Sequence, residues 1–386
     1  MSSAYPKTRC ALIAIPHNPL WIGGNKPILY HPAFTRKLLY VADLFPIVVV
    51  FYGGEHYDTQ VVRLGNKNIV SVQIKYTNIV LYSLRLLVEL LRWFISLRLR
   101  EIKKFVLYSF DHAHLCSLLL KILCKTAGLK VISFYVIRPF NVKEKIMYFI
   151  SKILDDLSLT NHPLLARELR LRNYIIIPNV PQEFSLEAVI RNVTQHLSNS
   201  CYKKPFIVYV GRLTPEKSPE LVLYVFYKLL RKLEHLSPKL LVIGDGPLRT
   251  KLEKLSMKLG MDGYVEFVGF KPLNEVLKLM RQSLALIHMS IYEYFPNVLV
   301  EALTMGTLVI VPKIPQYEWI IDPALISIRN LDNSLESVRR ILENEKLYRE
   351  RLRCQLKRLL LIYLLHRRGL SNLRKMLTAL IKAKEE

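Results

Sequence analysis

Residues 206–222 read Phe206-Ile-Val-Tyr-Val-Gly211-Arg212-Leu-Thr-Pro-Glu-Lys217-Ser218-Pro219-Glu220-Leu-Val. The first five form a continuous apolar run rich in β-branched and aromatic residues, the pattern of a strand covered on both faces. Gly211 breaks the run. Ser218-Pro219-Glu220 then has the order of a helix start: a cap residue, proline at the first helical position, an acid in the first turn. Strand, loop and helix recur downstream. A strand over 240–243 is turned by Gly244-Asp245-Gly246-Pro247 into a helix ending at Gly260. Strands over 265–268, 284–288 and 308–311 alternate with helices over 272–281 and 296–305, and beyond about 332 the chain reads as helices. Such alternation predicts an α/β domain with a parallel, doubly wound sheet.

The same rhythm runs through the first half. Strands are expected at 11–15, 47–51, 69–74, 105–108, 131–134, 157–160 and 174–177, with helices near 31–42, 79–99, 113–126, 142–154 and 163–171. Pro181, the polar run 192–200 and Lys203-Lys204-Pro205 interrupt it, a linker with room for one short helix. The expected organisation is a Rossmann-like domain over 1–180, a linker over 181–204, a second Rossmann-like domain over 205–345 and C-terminal helices over 346–386. Two doubly wound domains in tandem are expected to face one another across a cleft, since open α/β sheets bind ligands at the carboxyl ends of their strands.

The chain has 386 residues, 51% hydrophobic and 23% charged, which excludes collagen-like and globally disordered classes. Its 56 Lys+Arg against 31 Asp+Glu give +25, shared almost equally between residues 1–200 and 201–386. A field of that sign favours phosphates, nucleic acid or anionic lipid. No zinc spacing or nucleic-acid module accompanies it, so nucleic acid is not the expected partner, though a non-enzymatic basic nucleic-acid-binding protein stays an alternative. Cys10, Cys116, Cys124, Cys201 and Cys354 form no C-x-x-C pair and read as free thiols in a reducing compartment. No stretch of eighteen residues is uncharged and the N-terminus lacks a signal-peptide core, so a cytoplasmic location is expected.

Three stretches could carry chemistry. In Ser290-Ile-Tyr-Glu293-Tyr-Phe295-Pro296-Asn297-Val298-Leu-Val-Glu301, a loop enters a helix whose free N–H groups at Phe295–Val298 suit a phosphate. Glu301, a turn further in, suits a ribose diol, and Glu293 can reach a sugar hydroxyl. Taken alone, two solvated glutamates on an ordinary αβ unit fit as well. On the loop after 206–210, Arg212 and Lys217 can converge on a diphosphate, or be two surface cations. Gly244-Asp245-Gly246-Pro247 is a tight turn like many others.

Together, Gly211-Arg212-Leu213 with Lys217, Gly244-Asp245-Gly246-Pro247-Leu248, Val268-Gly269-Phe270 and Ser290-x-x-Glu293-x7-Glu301 resemble the C-terminal domain of retaining GT-B glycosyltransferases, often called glycosyl transferase group 1, over about 206–311. Arg167-Glu168-Leu169 with Ile176-Ile177-Pro178-Asn179-Val180 and Phe184 looks like the end of that family's first domain, with Val180-Pro181 where it usually has glycine-valine. Gly23-Gly24 matches its glycine pair at the donor phosphates, although Asn25-Lys26-Pro27 follows in place of acidic, helix-forming residues. The family often carries a His near position 110. Counted from the strand at 105–108 it falls on Phe110; a slide of two to four residues puts it on His112 or His114.

The resemblance implies the GT-B architecture, with 1–180 as the acceptor-binding domain and 205–345 as the nucleotide-sugar-binding domain, and transfer of a sugar, with retention, from a nucleotide-diphospho-sugar to an acceptor hydroxyl. It implies Arg212 and Lys217 at the diphosphate, Glu293 orienting the sugar, Glu301 on the ribose, and His112 or His114 at the substrate. Gly23, Gly24, Gly211, Gly244, Gly269 and the helix entry Phe295, Pro296, Asn297, Val298 would complete the donor site. No metal and no other cofactor is expected, for the chain has no Asp-x-Asp and fixed cations can replace the ion. Tyr294 stands where a glycine is commoner, beside the sugar pocket. Another GT-B enzyme, such as a nucleotide-sugar epimerase, is the alternative activity.

The segment 78–100 adds an expectation about place. Arg85, Glu89, Arg92, Ser96 and Arg100 form one narrow helical stripe, and the rest is almost wholly apolar. Such a helix is packed on both sides or lies in a membrane interface. With basic clusters around the apolar run 359–365, it predicts a protein peripheral to an anionic membrane, acting on a glycan or lipid-linked acceptor.

Overall fold

The computed structural model of the chain describes residues 10–15, 37–38, 40–45, 47–54, 58–64, 67–75, 79–99, 104–110, 115–136, 139, 141–181, 184–198, 204–233, 235–321, 325–326 and 328–382. Two compact units divide it: Met1–Pro178 with Leu365–Glu386, and Asn179–Leu364. Both are built on largely parallel sheets with helices between the strands, as the alternation predicts.

The first unit holds β1 (Cys10–Ile15), β2 (Ile47–Gly54), β3 (Asp58–Leu64), β4 (Lys67–Lys75), β5 (Lys104–Phe110), β6 (Lys130–Tyr135), β7 (Leu157–Thr160) and β8 (Tyr174–Ile176). Their order across the sheet is β3-β4-β2-β1-β5-β6-β7-β8. Only β3 with β4 is antiparallel, a hairpin that the alternation did not anticipate. Helices α1 (Ile79–Leu99), α2 (Leu115–Thr126), α3 (Val142–Leu154) and α4 (Pro163–Glu168) link later strands. Successive strand residues point to opposite faces, and β1 shows the result. Cys10, Leu12 and Ala14 pack with Leu38, Val41 and Phe45 on one face, whereas Ala11 and Ile13 pack with Leu86, Leu90 and Leu97 of α1 on the other.

The second unit holds β9 (Lys204–Val210), β10 (Lys239–Ile243), β11 (Val265–Gly269), β12 (Ser283–Ile287), β13 (Leu308–Pro312) and β14 (Leu325–Ile326), all parallel. The intervening helices are α6 (Pro219–Leu230), α7 (Arg249–Lys258), α8 (Leu273–Gln282), α9 (Asn297–Thr304), α10 (Pro315–Glu318) and α11 (Leu331–Glu343), preceded by α5 (Leu186–Ser198). The strand order is β11-β10-β9-β12-β13-β14. The chain therefore winds outward from β9 in one direction, returns at β12 and winds in the other. The β9/β12 boundary is the topological switch point, where an open sheet leaves a crevice beyond its strand ends.

Two expected boundaries change. The segment 181–204 holds the one short helix expected in it, α5, but it belongs to the second unit, where Val189 is buried among the core side chains. Residues 345–382 form a single helix, α12 (Glu345–Lys382), where several were expected. Its Leu352, Leu356 and Leu359 belong to the core of the second unit; Leu370, Leu373 and Leu377 belong to that of the first. Within the second unit the buried Gln355 amide pins β13, accepting from the Val309 N–H at 3.0 Å and donating to its carbonyl at 2.9 Å.

Candidate functional site

The loops after β9 and β12 flank the switch point of the second unit, and their backbones are fixed before any side chain is considered. The Gly211 N–H donates to the Ile243 carbonyl at 3.0 Å, the Leu213 N–H to Asp245 at 2.9 Å, and the Gly244 N–H to Gly269 at 2.9 Å. Three strand ends are thereby stitched edge to edge. Gly244 has φ +132°, and a Cβ there would lie 2.0 Å from the Gly211 carbonyl oxygen. Gly246 has φ +157°, and a Cβ would lie 2.6 Å from the Leu213 carbonyl. The Gly-Asp-Gly turn is thus required for two backbones to touch, a reason the sequence alone leaves unstated.

Between Gly211 and α6 the chain makes one 3₁₀ turn, Pro215–Lys217. Ser218 occupies the cap position of α6, but its backbone is left-handed at φ +50° and its side chain caps nothing. The Ser290 hydroxyl, fully buried, donates to the Glu216 carbonyl at 2.9 Å and so ties the β12 loop to this turn. The Tyr317 hydroxyl in turn donates to the Ser290 carbonyl at 2.6 Å.

That framework brings Lys217 and Glu293 together, Nζ to Oε1 at 2.6 Å. His288, 2% exposed at the end of β12, places Nε2 3.2 Å from Glu293 Oε2. The distance is that of an ion pair, but the ring stands off the hydrogen-bond line. Both ring nitrogens and Oε2 are therefore buried without a hydrogen-bonded partner among the described residues. Lys217 is the firmer partner. Burial would raise the Glu293 carboxyl, yet His288 and Lys217 outweigh it and hold the pKa down to about 2. Burial, with the Glu293 charge added, pushes the neighbouring Tyr317 and Tyr209 phenols up. Glu293 is accordingly a fixed anion at neutral pH, beside polar atoms that a ligand could satisfy.

Arg212 lies on the same loop with Nη2 3.2 Å from Glu216 Oε1, an exposed pair. The cations expected at the diphosphate are therefore each held by a carboxylate, a pairing the sequence did not reveal. Across the switch point, α9 starts after Pro296 with no side-chain cap, leaving its first N–H groups for an anion. Asn297 is exposed and Val298 half-buried. The Phe295 side chain turns inward, 6.0 Å from the Trp319 ring, into the core of the second unit. Glu301 is half-buried in the second turn, on the face shared with Asn297. Tyr294 is 1% exposed and belongs to the interior. Gly23, Gly24, His112 and His114 lie outside the described residues. Among the described residues no group of three or more His, Cys, Asp or Glu side chains gathers as a metal would need.

Sequence reasoning missed His288, Ser290 as an anchor, and Tyr317. The available signal was position: a histidine closing a strand that ends at the switch point.

Residues 196–355 match the family described as Glycosyl transferases group 1. An uncharacterized glycosyltransferase of Methanocaldococcus jannaschii is 28% identical over 136 residues, 35% of this chain and 32% of that protein. The N-acetylgalactosamine-N,N'-diacetylbacillosaminyl-diphospho-undecaprenol 4-alpha-N-acetylgalactosaminyltransferase of Campylobacter jejuni is 27% identical over 183 residues, 46% of this chain and 48% of that one. The chain thus aligns with less than half the length of these relatives. Among solved structures, an alpha,alpha-trehalose-phosphate synthase (UDP-forming) from Burkholderia vietnamiensis superposes with a TM-score of 0.68 at 11% identity, covering 97% of this chain and 100% of that one. Anabaena HepE in complex with UDP superposes at 0.63 with 13% identity, covering 95% and 99%. The two-unit Rossmann-like fold is the GT-B fold.

Proposed function

We propose that the chain is a retaining glycosyltransferase using a nucleotide-diphospho-sugar. The observation that carries the reading is the Lys217–Glu293 pair with His288 at the switch point, between glycine-built loops and an uncapped helix start. In the reaction the bond from the anomeric carbon to the diphosphate breaks and the acceptor oxygen bonds that carbon on the same face. The acceptor proton passes to the departing phosphate oxygen. Charge grows on the diphosphate, where Arg212, Lys217 and the α9 N-terminus oppose it without a metal or other cofactor. Gly211, Gly244 and Gly269 let the backbone approach the donor. Glu301 accepts from the ribose hydroxyls, and Glu293, held ionised, orients the sugar.

The acceptor is a hydroxyl of a glycan or lipid-linked glycan, reached from the cytoplasmic face of an anionic membrane. The net charge of +25 and the diphospho-undecaprenol in the Campylobacter relative's name support that placement. No described helix is long and apolar enough to cross a membrane. The test is a panel of nucleotide-sugars scored by thermal shift and by released nucleoside diphosphate. A donor at 100 times its Kd should stabilise the protein by about 2.7 kcal/mol. Absence of both shift and release across the panel would overturn the reading.

A further inference from the structure

Three adjacent helices of the first unit are apolar on the side turned away from the sheet. In α1, Leu86, Leu90 and Leu97 are buried, yet Leu84, Val88, Leu91 and Ile95, at heptad spacing on the opposite side, are each 45–57% exposed. The polar stripe between these faces is narrow: Glu89 is itself buried and bound by Arg92 at 2.9 Å. In α2, which packs between α1 and α3, Leu119, Ile122 and Leu123 are exposed. In α3, Met147, Tyr148 and Ser151 face inward, and Ile146, Phe149 and Ile153 are 55–63% exposed. A helix covered on one side only should be polar on the other, and monomers rarely leave apolar patches of this extent open.

The patch adjoins a cavity of about 870 Å³, and Phe149 and Ile153 belong to both. Lys145, Lys152, Arg170 and Arg172 line the cavity against two carboxylates, Glu168 and Asp155, which leaves the lining net cationic. Lys152 donates to the Leu169 carbonyl at 2.9 Å, and burial together with the charges of Arg170 and Arg172 lowers its pKa. Arg170 holds a left-handed backbone at φ +52°. The nearby aspartates are already engaged. Asp155 is buried against Lys121 at 2.9 Å, while Asp156 holds Lys125 at 2.9 Å and Lys130 at 3.1 Å. Mutually repelling cations beside an open apolar surface are the complement of an anionic headgroup above acyl chains.

We infer that this face is the membrane-docking surface, with the outward stripes of α1, α2 and α3 in the lipid interface and the cationic cavity mouth on a phospholipid phosphate. The inference rests on the peripheral placement proposed above, but not on the transfer chemistry. The test is flotation of the full chain with vesicles of phosphatidylcholine alone or with added phosphatidylglycerol. The chain should float only with the anionic vesicles, and less as salt rises. Phe149→Asp with Ile153→Asp, and separately Leu84→Asp with Val88→Asp, should each lower binding at least about tenfold. Arg170→Ala with Arg172→Ala should lower it about fivefold per cation. All these side chains are exposed, so circular dichroism and elution volume should match the parent. Flotation unchanged in the variants, equal on neutral vesicles, or absent from the parent would overturn the inference. So would a parent dimer that the aspartate variants convert to monomers. Donor cleavage measured without lipid separates the two readings: cleavage without flotation sinks this inference and the membrane placement it rests on but leaves the transferase reading standing, and flotation without cleavage sinks the transferase reading alone.

Discussion

Replacing Glu293 by Gln should remove a specific pH dependence from the stability of the second unit. The wild-type carboxyl is held at about 2 against an ordinary 4.5. At roughly 1.4 kcal/mol per tenfold change in proton affinity, that difference is worth about 3 kcal/mol between the two protonation states. Because the folded value is depressed, the contribution is complete above the unfolded value and is lost as pH falls toward 2. Gln keeps the shape, takes no charge and leaves Lys217 without its anion. Wild type and Glu293→Gln should therefore differ by about 3 kcal/mol at pH 7 and converge through the range from 4.5 to 2. Two units need not unfold as one, so the measurement should be local. Hydrogen exchange of peptides spanning 284–305, corrected for intrinsic rates, reads that difference directly. A gap that stays constant with pH, or no gap at neutral pH, would refute the reasoning that Lys217 and His288 hold this carboxylate.

Lys217→Ala or Arg212→Ala should each lower turnover by about 10²–10³ in initial rates; calorimetry should find the thermal transition nearly unmoved in Arg212→Ala, whose pair is exposed, but lowered in Lys217→Ala, which leaves the Glu293 carboxylate without its closest cation. Glu301→Ala should weaken binding of the free nucleoside diphosphate, whereas Glu293→Ala should lower the rate more than the binding; titration calorimetry and steady-state kinetics separate the two. Turnover should persist in excess chelator, and complete loss restored by added metal would contradict the cation scheme. Gly244→Ala should destabilise the second unit by about 2 kcal/mol or more, because its Cβ meets the Gly211 carbonyl in a conformation unfavourable to L residues.

The second unit was legible because its punctuation is local. Gly211, Gly244, Gly260 and Gly306 each close an element, and Pro219 and Pro296 each stand at a helix entry, so β9–β13 and α6–α9 fall where the pattern puts them, whereas the short α10 and β14 were not anticipated. The hairpin of β3 and β4 was legible in principle, since Gly65-Asn66 separates two alternating runs, but it is one antiparallel pair in a parallel rhythm. The partners of the expected cations were not legible. Lys217 meets Glu293 because two loops cross at a switch point, a consequence of strand order that no spacing encodes. His288 closes an apolar strand, where its composition gives no sign that Glu293 lies 3.2 Å away. For α1 the sequence offered two apolar faces without saying which was covered; packing covers one and leaves the other open.

The path of α12 has a consequence for how the chain matures. The first unit is made from two stretches of chain that the second separates: Leu370, Leu373 and Leu377 close the sheet face that holds Leu12 and Val48. Gly369 passes so near β8 that a Cβ there would lie 2.3 Å from the Ile176 carbonyl. Domains emerging from a ribosome ordinarily fold in the order of their synthesis. Here the second unit is uninterrupted from 179 to 364 and can finish first, while the first, although translated earlier, waits with an uncovered apolar face until α12 is released. A message truncated just before codon 370 would thus yield a complete second unit tethered to an unfinished first, a natural substrate for chaperones and proteases.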